Sequence, residues 1–254
     1  MKLAITDVTL IDGTGHDPVK HATVVVEDGR IVSAKARGAI PHGAQVVDGE
    51  GMTLLPGLID THVHMTQNGF TLLDQLMTQP SLRLYRAIPN LRTTLDGGVT
   101  TVRDAGGSPL GMKLAVQEGI FAGPRMQVAI TILSQTGGHG DRTMPSGCCV
   151  SIAYSDIPES VVDGVEEMRH RVREILRAGA DWIKVCATGG VLSPTDLPTS
   201  SQFTVEEIAT AVDEGRAHGE IHVMAHAQGT RGIKNAIRAG CKSIEHGIWL
   251  DDEA

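Results

Sequence analysis

Aromatic residues are scarce in this chain. Its 254 residues include three Phe, two Tyr and two Trp, so a hydrophobic core must be built from aliphatic side chains. Hydrophobic residues still make up 41% of the sequence, and its 30 glycines are about 12% of 254 residues, against a usual share near 7%. This composition is typical of α/β proteins with many short turns and excludes a disordered chain.

Positive charge and long apolar runs are also lacking. The 22 Lys and Arg against 30 Asp and Glu give a net charge of −8 without a basic cluster, which argues against a nucleic-acid partner. No run of 18 apolar residues predicts a membrane span, and MKLAITDVTLIDG does not resemble a secretory signal. Because Cys148, Cys149, Cys186 and Cys241 lack the spacing of a zinc site or a disulfide framework, we expect a cytoplasmic protein.

Two kinds of local pattern divide the chain. Residues 1–55 contain short apolar runs and a hairpin signal at Asp28-Gly29, and they predict part of a small β-sandwich layer. Residues 56–254 alternate short strands with amphipathic helical stretches, the pattern of βαβ units. The predicted fold class is therefore α/β with a parallel sheet, and the resemblance given below implies a (β/α)8 TIM-barrel type of which six βα units are present.

The six strands and five helices of the barrel region can be placed from the sequence. The strands are predicted at 58–60, 100–105, 126–130, 182–186, 221–226 and 242–246, and the helices at 80–96, 110–119, 158–178, 204–218 and 229–239. Thr204 and Glu207 have the spacing of a capping box at a helix start. The loops 133–150 and 187–203 are long, which is typical of functional segments.

Reactive side chains fall at the C-terminal ends of four predicted strands, where functional residues collect in a parallel barrel. Alternation along the first strand lets His62 and His64 offer two imidazoles to one metal ion. His226 and His246 end two later strands, and Lys184 lies inside an apolar strand, where an unpaired lysine is costly to bury. Each residue alone also fits a packing or surface position, but together they predict a metal site.

Several segments resemble the metal-dependent amidohydrolase superfamily. LLPGLIDTHVHM at 54–65 resembles its opening motif, and the order His-x-His, Lys, His, His matches its two-metal members. The similarity is closest to the group that holds imidazolonepropionase and the Xaa-Pro dipeptidase-like enzymes. The segments that carry it are GVTTVRDAGG at 98–107, SQTGGHGD at 134–141, DWIKVCATGGVLSP at 181–194, HAQGTRGI at 226–233 and SIEHG at 243–247.

The resemblance implies a binuclear hydrolase that cleaves an amide or peptide C–N bond of a small substrate with a hydroxide held between the ions. It implies that His62 and His64 bind the more buried ion and that His226 and His246 bind the second. Lys184, carboxylated by carbon dioxide to N6-carboxylysine, would bridge both. Such ligands suit zinc, with manganese, iron and cobalt left open.

Three residues are candidates for contact with the substrate, and the resemblance points to the first two of them. His139 matches a position that contacts the substrate in the dipeptidase-like enzymes, which makes it the candidate catalytic and substrate-binding residue; the alternative is a flexible loop histidine. Gln228 stands where several relatives have Tyr or His near the ligand, a departure that leaves the substrate open. Arg103 is expected mainly to pair with Asp104 at the barrel mouth, with substrate contact as the alternative.

Three functions stay open from the sequence. The first is a dipeptidase (prolidase)-like hydrolase, and the second is an imidazolonepropionase-like cyclic amide hydrolase, which generally uses one metal and no bridging lysine. The third is an inactive metal-binding fragment. Because Ala254 follows the sixth strand closely, without the family's strand-eight aspartate, we expect a C-terminally truncated chain whose N-terminal layer needs later strands. Expected partners are a small amide or dipeptide substrate and further copies in a homo-oligomer, with no nucleic acid or membrane.

Overall fold

The computed structural model describes residues 1–69, 74, 77–149 and 156–254, so the last residue of the predicted loop 133–150 lies outside the described residues. Two compact units make up the chain, Met1–Leu58 and Ile59–Ala254. Each unit is described by itself below.

The first unit is a five-stranded sheet. Its strands are β1 (Lys2–Leu10), β2 (Val19–Glu27), β3 (Arg30–Ala36), β4 (Gln45–Asp48) and β5 (Thr53–Leu54). β1 lies antiparallel to β2 and parallel to β4 and β5. Asp28 and Gly29, between β2 and β3, both have positive φ, as a type I′ turn requires. The hairpin predicted at this dipeptide is confirmed.

The second unit alternates strands with helices. Its elements are β6 (Leu58–Val63), α1 (Pro80–Asp96), β7 (Val99–Asp104), α2 (Leu110–Gln117), β8 (Arg125–Val128), β9 (Ile132–Leu133), α3 (Gly164–Arg177), β10 (Trp182–Cys186), α4 (Val205–Ala217), β11 (His222–Ala227), α5 (Thr230–Ala239) and β12 (Ser243–His246). Neighbouring strands follow chain order, β6-β7-β8 in one sheet and β9-β10-β11-β12 in the other. Parallel pairing joins β7 to β8 and links β9 through β12. This is the βα succession of a TIM-type barrel, as predicted.

The third predicted strand, 126–130, ends two residues early, because β8 covers Arg125–Val128 and pairs with β7. Ile130 follows it with a φ of 64°, a left-handed conformation that β-branched residues rarely adopt. A separate short strand, β9 (Ile132–Leu133), then pairs with β10. β9 is not among the predicted strands, because the apolar pattern carries no sign of this change in backbone conformation.

The helices begin and end close to the predicted positions, with one exception. α1 has the predicted bounds, whereas α3 begins at Gly164 and the predicted start at 158 is wrong. Val161 lies between the predicted and the observed start of α3, and it forms an isolated parallel β-bridge with Ser134. In the part of the chain that the structure describes, none of the helices combines the length and the apolar character needed to cross a membrane.

The core of the second unit is aliphatic, as the composition predicts. α5 buries Ile233 and Ala236 three residues apart, on one helical face. The large side chains that are fully buried include Leu91, Met126, Ile130, Leu133, Met168, Ile175, Ile183, Ile208 and Met224, with the aromatic Phe203 among them.

Thr204 begins α4 with the predicted capping box. Its hydroxyl accepts a hydrogen bond from the Glu207 N–H at 3.3 Å, and the Glu207 carboxylate accepts one from the Thr204 N–H at 2.8 Å. Thr204→Ala should therefore lower the free energy of unfolding by about 1 kcal/mol in urea denaturation. Thr204→Ser keeps the hydroxyl and should stay near wild type; an equal loss in both variants would contradict the capping role.

Candidate functional site

Four histidine rings lie together at the C-terminal ends of strands in the second unit. The ring centroids are 5.4 Å apart for His62 and His64 and 5.0 Å apart for His62 and His246. His226 and His246 are separated by 4.6 Å. The fold thus gathers side chains that lie far apart in the chain.

Lys184 on β10 is the buried cation of this cluster. Its side chain belongs to a residue only 2% exposed, and its Nζ has no hydrogen-bond partner among the described residues. Burial lowers the pKa of Lys184 to about 8, although Cys186 and Glu245 act in the opposite direction. An unsatisfied buried amine is costly, so this side chain fits a site where the amine is chemically modified or paired with a ligand.

Hydrogen bonds select which nitrogen of three histidines keeps a lone pair. His62 Nδ1 contacts Glu245 Oε2 at 2.6 Å, and His64 Nδ1 contacts the Gly106 carbonyl at 2.8 Å. His226 Nε2 contacts a backbone carbonyl at 3.0 Å. Because carboxylates and carbonyls only accept, these nitrogens carry the protons. The lone pairs therefore remain on Nε2 of His62 and His64 and on Nδ1 of His226, where a metal ion would bind.

The imidazoles of His64, His226 and His246 are neutral at physiological pH. Burial, with a smaller contribution from the charge of Lys184, lowers the pKa of His64 to about 4, that of His226 to about 3 and that of His246 to about 4. Neutral imidazole is the metal-binding form. Over the described residues, however, no group of three or more His, Cys, Asp or Glu side chains is placed to hold an ion as it stands. The donor chemistry fits a metal ion, and the rings need to reorient to surround one.

Glu245 links the ends of β6, β7 and β12, and sequence reasoning missed it. The buried carboxylate accepts from His62 and, at 2.7 Å, from Arg103 Nη2. Burial alone would raise the pKa of Glu245, but hydrogen bonds from His62 and Ser243 and the charge of Arg103 hold it at about 2. A charged residue inside the SIEH strand was the available signal.

Arg103 does not form the expected ion pair with Asp104. Its guanidinium binds Glu245 and the Thr61 carbonyl, and it lies 4.4 Å over the Trp182 ring. Neighbouring residues of a strand point to opposite faces, which separates the two side chains. With these partners Arg103 holds strand ends together, and its contact with substrate stays a prediction.

Asp104 anchors the segments after β6 and β7. Its fully buried carboxylate accepts from the Met65 N–H at 2.8 Å, the Gly106 N–H at 3.0 Å and the Ser108 hydroxyl at 2.7 Å. Burial raises the pKa of Asp104 to about 6, while these hydrogen bonds act in the opposite direction. The carboxylate thereby holds Met65, the residue after His64, and Gly106, whose carbonyl contacts the His64 ring.

His139 is held by the loop after β10. Its Nδ1 lies 3.0 Å from Ser193 Oγ, and Ser193 in turn donates to Asp196. The ring stacks on His226 with centroids 4.4 Å apart, and a Cβ at Gly190 would overlap it. Since the Ser193 hydroxyl donates its proton to the carboxylate, it accepts from His139 Nδ1–H, which leaves a lone pair on His139 Nε2. Ser193 and Asp196 were not among the predicted residues.

Gln228 follows β11 as a buried residue, 6% exposed. Its backbone N–H donates to Thr188 Oγ1 at 3.0 Å, so the main chain is satisfied. Its side-chain Oε1 is buried without a hydrogen-bond partner in the described parts of the chain. The predicted substrate-binding residue thus offers an unused acceptor.

The model of the amidohydrolase family matches residues 53–253. The chain belongs to the amidohydrolase family. Its relatives in this family are hydrolases that act on carbon–nitrogen amide bonds. Ochratoxinase from Aspergillus niger is 35% identical to this amidohydrolase chain over 270 residues, which cover 96% of the chain and 54% of the ochratoxinase.

Two solved structures are similar to this amidohydrolase chain over almost all its length. A prolidase complexed with N-methylphosphonate-L-proline is 38% identical with a TM-score of 0.87, and the match covers 99% of this chain and 62% of that one. A Xaa-Pro dipeptidase with methionine bound in the active site is 32% identical with a TM-score of 0.89. This match covers 100% of this chain and 63% of that one. The chain therefore spans about half the length of the ochratoxinase and less than two thirds of these two structures.

Glu245→Gln should destabilise the second unit by about 3–5 kcal/mol, because breaking a buried pair leaves the Arg103 guanidinium uncompensated. The free energy of unfolding from urea titration measures this. Glu253→Gln is the matched control, since Glu253 is an exposed partner of Lys234 and Arg238, and it should change stability little. Similar effects of the two substitutions would contradict the linking role of Glu245.

Proposed function

We propose that this chain carries the metal-binding part of a binuclear amidohydrolase that cleaves the amide bond of a small, dipeptide-like substrate with proline on its C-terminal side. The observation that carries the proposal is the unpaired, buried amine of Lys184 in a cluster with the neutral imidazoles of His64, His226 and His246. The similarity to a prolidase and to a Xaa-Pro dipeptidase supports the substrate class.

The proposed metal ligands follow from the donor set. His62, His64, His226 and His246 would hold two divalent ions, zinc being the expected metal, and Lys184 would bridge them as a carbamate. Ions bound there would polarise an amide carbonyl and activate water for its hydrolysis. A lysine amine reacts with carbon dioxide only when it is neutral. The lowered pKa of Lys184 makes this form far more abundant than in an exposed lysine near neutral pH.

The chain's own polar groups then orient the substrate. The Nε2 of His139 can accept a hydrogen bond or, when protonated, donate one to a substrate oxygen, while Ser193 and Asp196 hold the ring in place. The unpaired Oε1 of Gln228 can accept an N–H of the substrate. A substrate with an amine or amide N–H and a carbonyl matches these groups.

The two other functions differ from this proposal in how many metal ions they require. An imidazolonepropionase-like site would use one ion and leave Lys184 without a bridging role. An inactive fragment would bind no ion, or would bind ions without turnover. Metal stoichiometry therefore separates the first two functions before any substrate is known, and turnover separates a fragment that still binds metal.

Lys184→Ala should lower the bound metal from about two ions per chain, because the bridging ligand is lost. Metal content after dialysis, measured by mass spectrometry, tests this. Lys242→Ala is the control, since Lys242 is exposed and directly precedes β12, and it should keep wild-type stoichiometry. Unchanged stoichiometry in Lys184→Ala defeats the bridging role; one ion in the wild type favours the second function, and none in a folded chain favours the third.

The metal-loaded protein should hydrolyse an Xaa-Pro dipeptide such as Ala-Pro more efficiently than a five-membered cyclic amide. His139→Ala should lower kcat/KM for Ala-Pro by about 100-fold, the usual scale for a positioned acid–base group. The exposed His170 on α3 provides the control substitution, His170→Ala, which should retain full turnover. Preference for the cyclic amide, or an unaffected His139 variant, would contradict the proposal.

A further inference from the structure

Asp196 lies in the loop that follows β10, between Pro194 and Pro198. Each proline fixes its own φ at about −65°, so the segment that carries this carboxylate has little backbone freedom. An antiparallel bridge between Thr188 and Ser201 closes the loop at its base. The loop therefore holds Asp196 at a defined place.

Both oxygens of the Asp196 carboxylate accept hydrogen bonds. Oδ1 accepts from the Ser193 hydroxyl and, at 3.1 Å, from the Gly190 N–H, while Oδ2 accepts from Gln202 Nε2 at 2.7 Å. Hydrogen bonds to an ionised carboxylate are roughly twice as strong as those between neutral groups. The carboxylate therefore ties three parts of the loop to one another.

Two of these partners continue to His139, which lies on a different loop. Ser193 Oγ is 3.0 Å from His139 Nδ1, and Gln202 Oε1 accepts from the His139 backbone N–H at 3.1 Å. The carboxylate of Asp196 thus reaches the imidazole ring through one neighbour and the main chain through the other. Holding the ring and the backbone of one residue together leaves its Nε2 little freedom to move.

The two contacts of Gln202 fix the orientation of its amide. A backbone N–H is a donor, so the amide oxygen must face His139. A carboxylate is an acceptor, so the amide nitrogen must face Asp196. A donor in place of the carboxylate would set two N–H groups against each other. The link from Asp196 to the His139 backbone therefore depends on this order of donors and acceptors.

The loop of Asp196 and the loop of His139 are closely packed. A Cβ at Gly190 would overlap the His139 ring, and a Cβ at Gly138 would lie 2.7 Å from Gln202 Oε1. The two loops therefore meet without space for a further side chain at either glycine. Because close-packed regions transmit displacements, a change at Asp196 reaches His139.

We propose that Asp196 is a positioning residue for the hydrolysis, which holds the ring of His139 through Ser193 and its main chain through Gln202. Asp196 acts through His139 and not on the substrate. The inference rests on the proposed function for the role of His139, and it deepens that function by naming the group that keeps Nε2 in place. The hydrogen bonds themselves are tested without metal or substrate.

Two substitutions that reverse the order of donor and acceptor test the link through Gln202. Asp196→Asn keeps one oxygen for Ser193 and Gly190 but turns a donor towards Gln202 Nε2. Gln202→Glu alone sets two carboxylates against each other. The double variant Asp196→Asn/Gln202→Glu restores the link, because the new amide donates to the new carboxylate, which still accepts from the His139 N–H.

Deuterium exchange of the His139 backbone N–H, followed by NMR in the metal-free protein, is the measurement. We expect exchange about 10-fold faster in each single variant and within about 3-fold of wild type in the double variant. Asp213→Asn, which changes an exposed carboxylate on α4, is the control and should leave this exchange unchanged. Unchanged exchange in Asp196→Asn, or no rescue in the folded double variant, overturns the proposal.

Ser193→Ala tests the link to the ring and spares the hydrogen bond between Asp196 and Gln202. In the wild type we expect the His139 ring to carry its proton on Nδ1, because the Ser193 hydroxyl accepts from it. In the variant, the nitrogen-15 chemical shifts of the ring should move towards the Nε2–H form. An unchanged ring spectrum in the folded variant overturns the proposal even if Asp196→Asn fails to fold.

Turnover separates a positioning role from general support of the fold. Asp196→Asn should lower kcat/KM for Ala-Pro by about 10-fold in the wild-type background and by less than about 3-fold in the His139→Ala background. Equal losses in both backgrounds overturn the proposal. Loss of bound metal in Asp196→Asn also overturns it, because the substitution would then act on the metal ligands.

The two proposals fail in different ways. Absent metal binding or absent hydrolysis, with the expected exchange pattern of the His139 N–H, counts against the proposed function alone. Normal metal stoichiometry and turnover, without that exchange pattern, count against the role of Asp196 alone.

Discussion

Glu245 accepts hydrogen bonds from His62 and Arg103, and this buried carboxylate is the interaction on which the site depends. It joins residues of β6, β7 and β12, strands that come from opposite ends of the second unit's sequence. The contact with His62 fixes both the orientation of that ring and the nitrogen that stays unprotonated. In a low-dielectric interior such a network is strong only when every member is satisfied, so its partners hold one another in place.

Burial sets the electrostatics around this anchor. It keeps the imidazoles of His64, His226 and His246 neutral and leaves Lys184 as an unpaired amine. The proposed function uses both consequences, since neutral imidazoles bind cations and a neutral amine can become a bridging carbamate.

Much of the secondary structure of the second unit was predictable, because it depends on interactions between residues that are close in sequence. The bounds of α1 and the capping box of α4 follow from amphipathic spacing and from hydrogen bonds between near neighbours. The third predicted strand ends at Val128 and not at Ile130, whose left-handed backbone the apolar pattern does not reveal. The expected pair of Arg103 with Asp104 failed because adjacent strand residues face opposite ways.

Patterns along the chain were therefore enough to predict the barrel-type fold and the candidate metal ligands. The alternation of a strand aligns His62 with His64, and strand ends are where a parallel barrel exposes its chemistry. The partners of Glu245 and the support of His139 by Ser193 and Asp196 became visible only in three dimensions. Those contacts join residues far apart in sequence, and their formation depends on which strand ends and loops the packed core brings within hydrogen-bond distance.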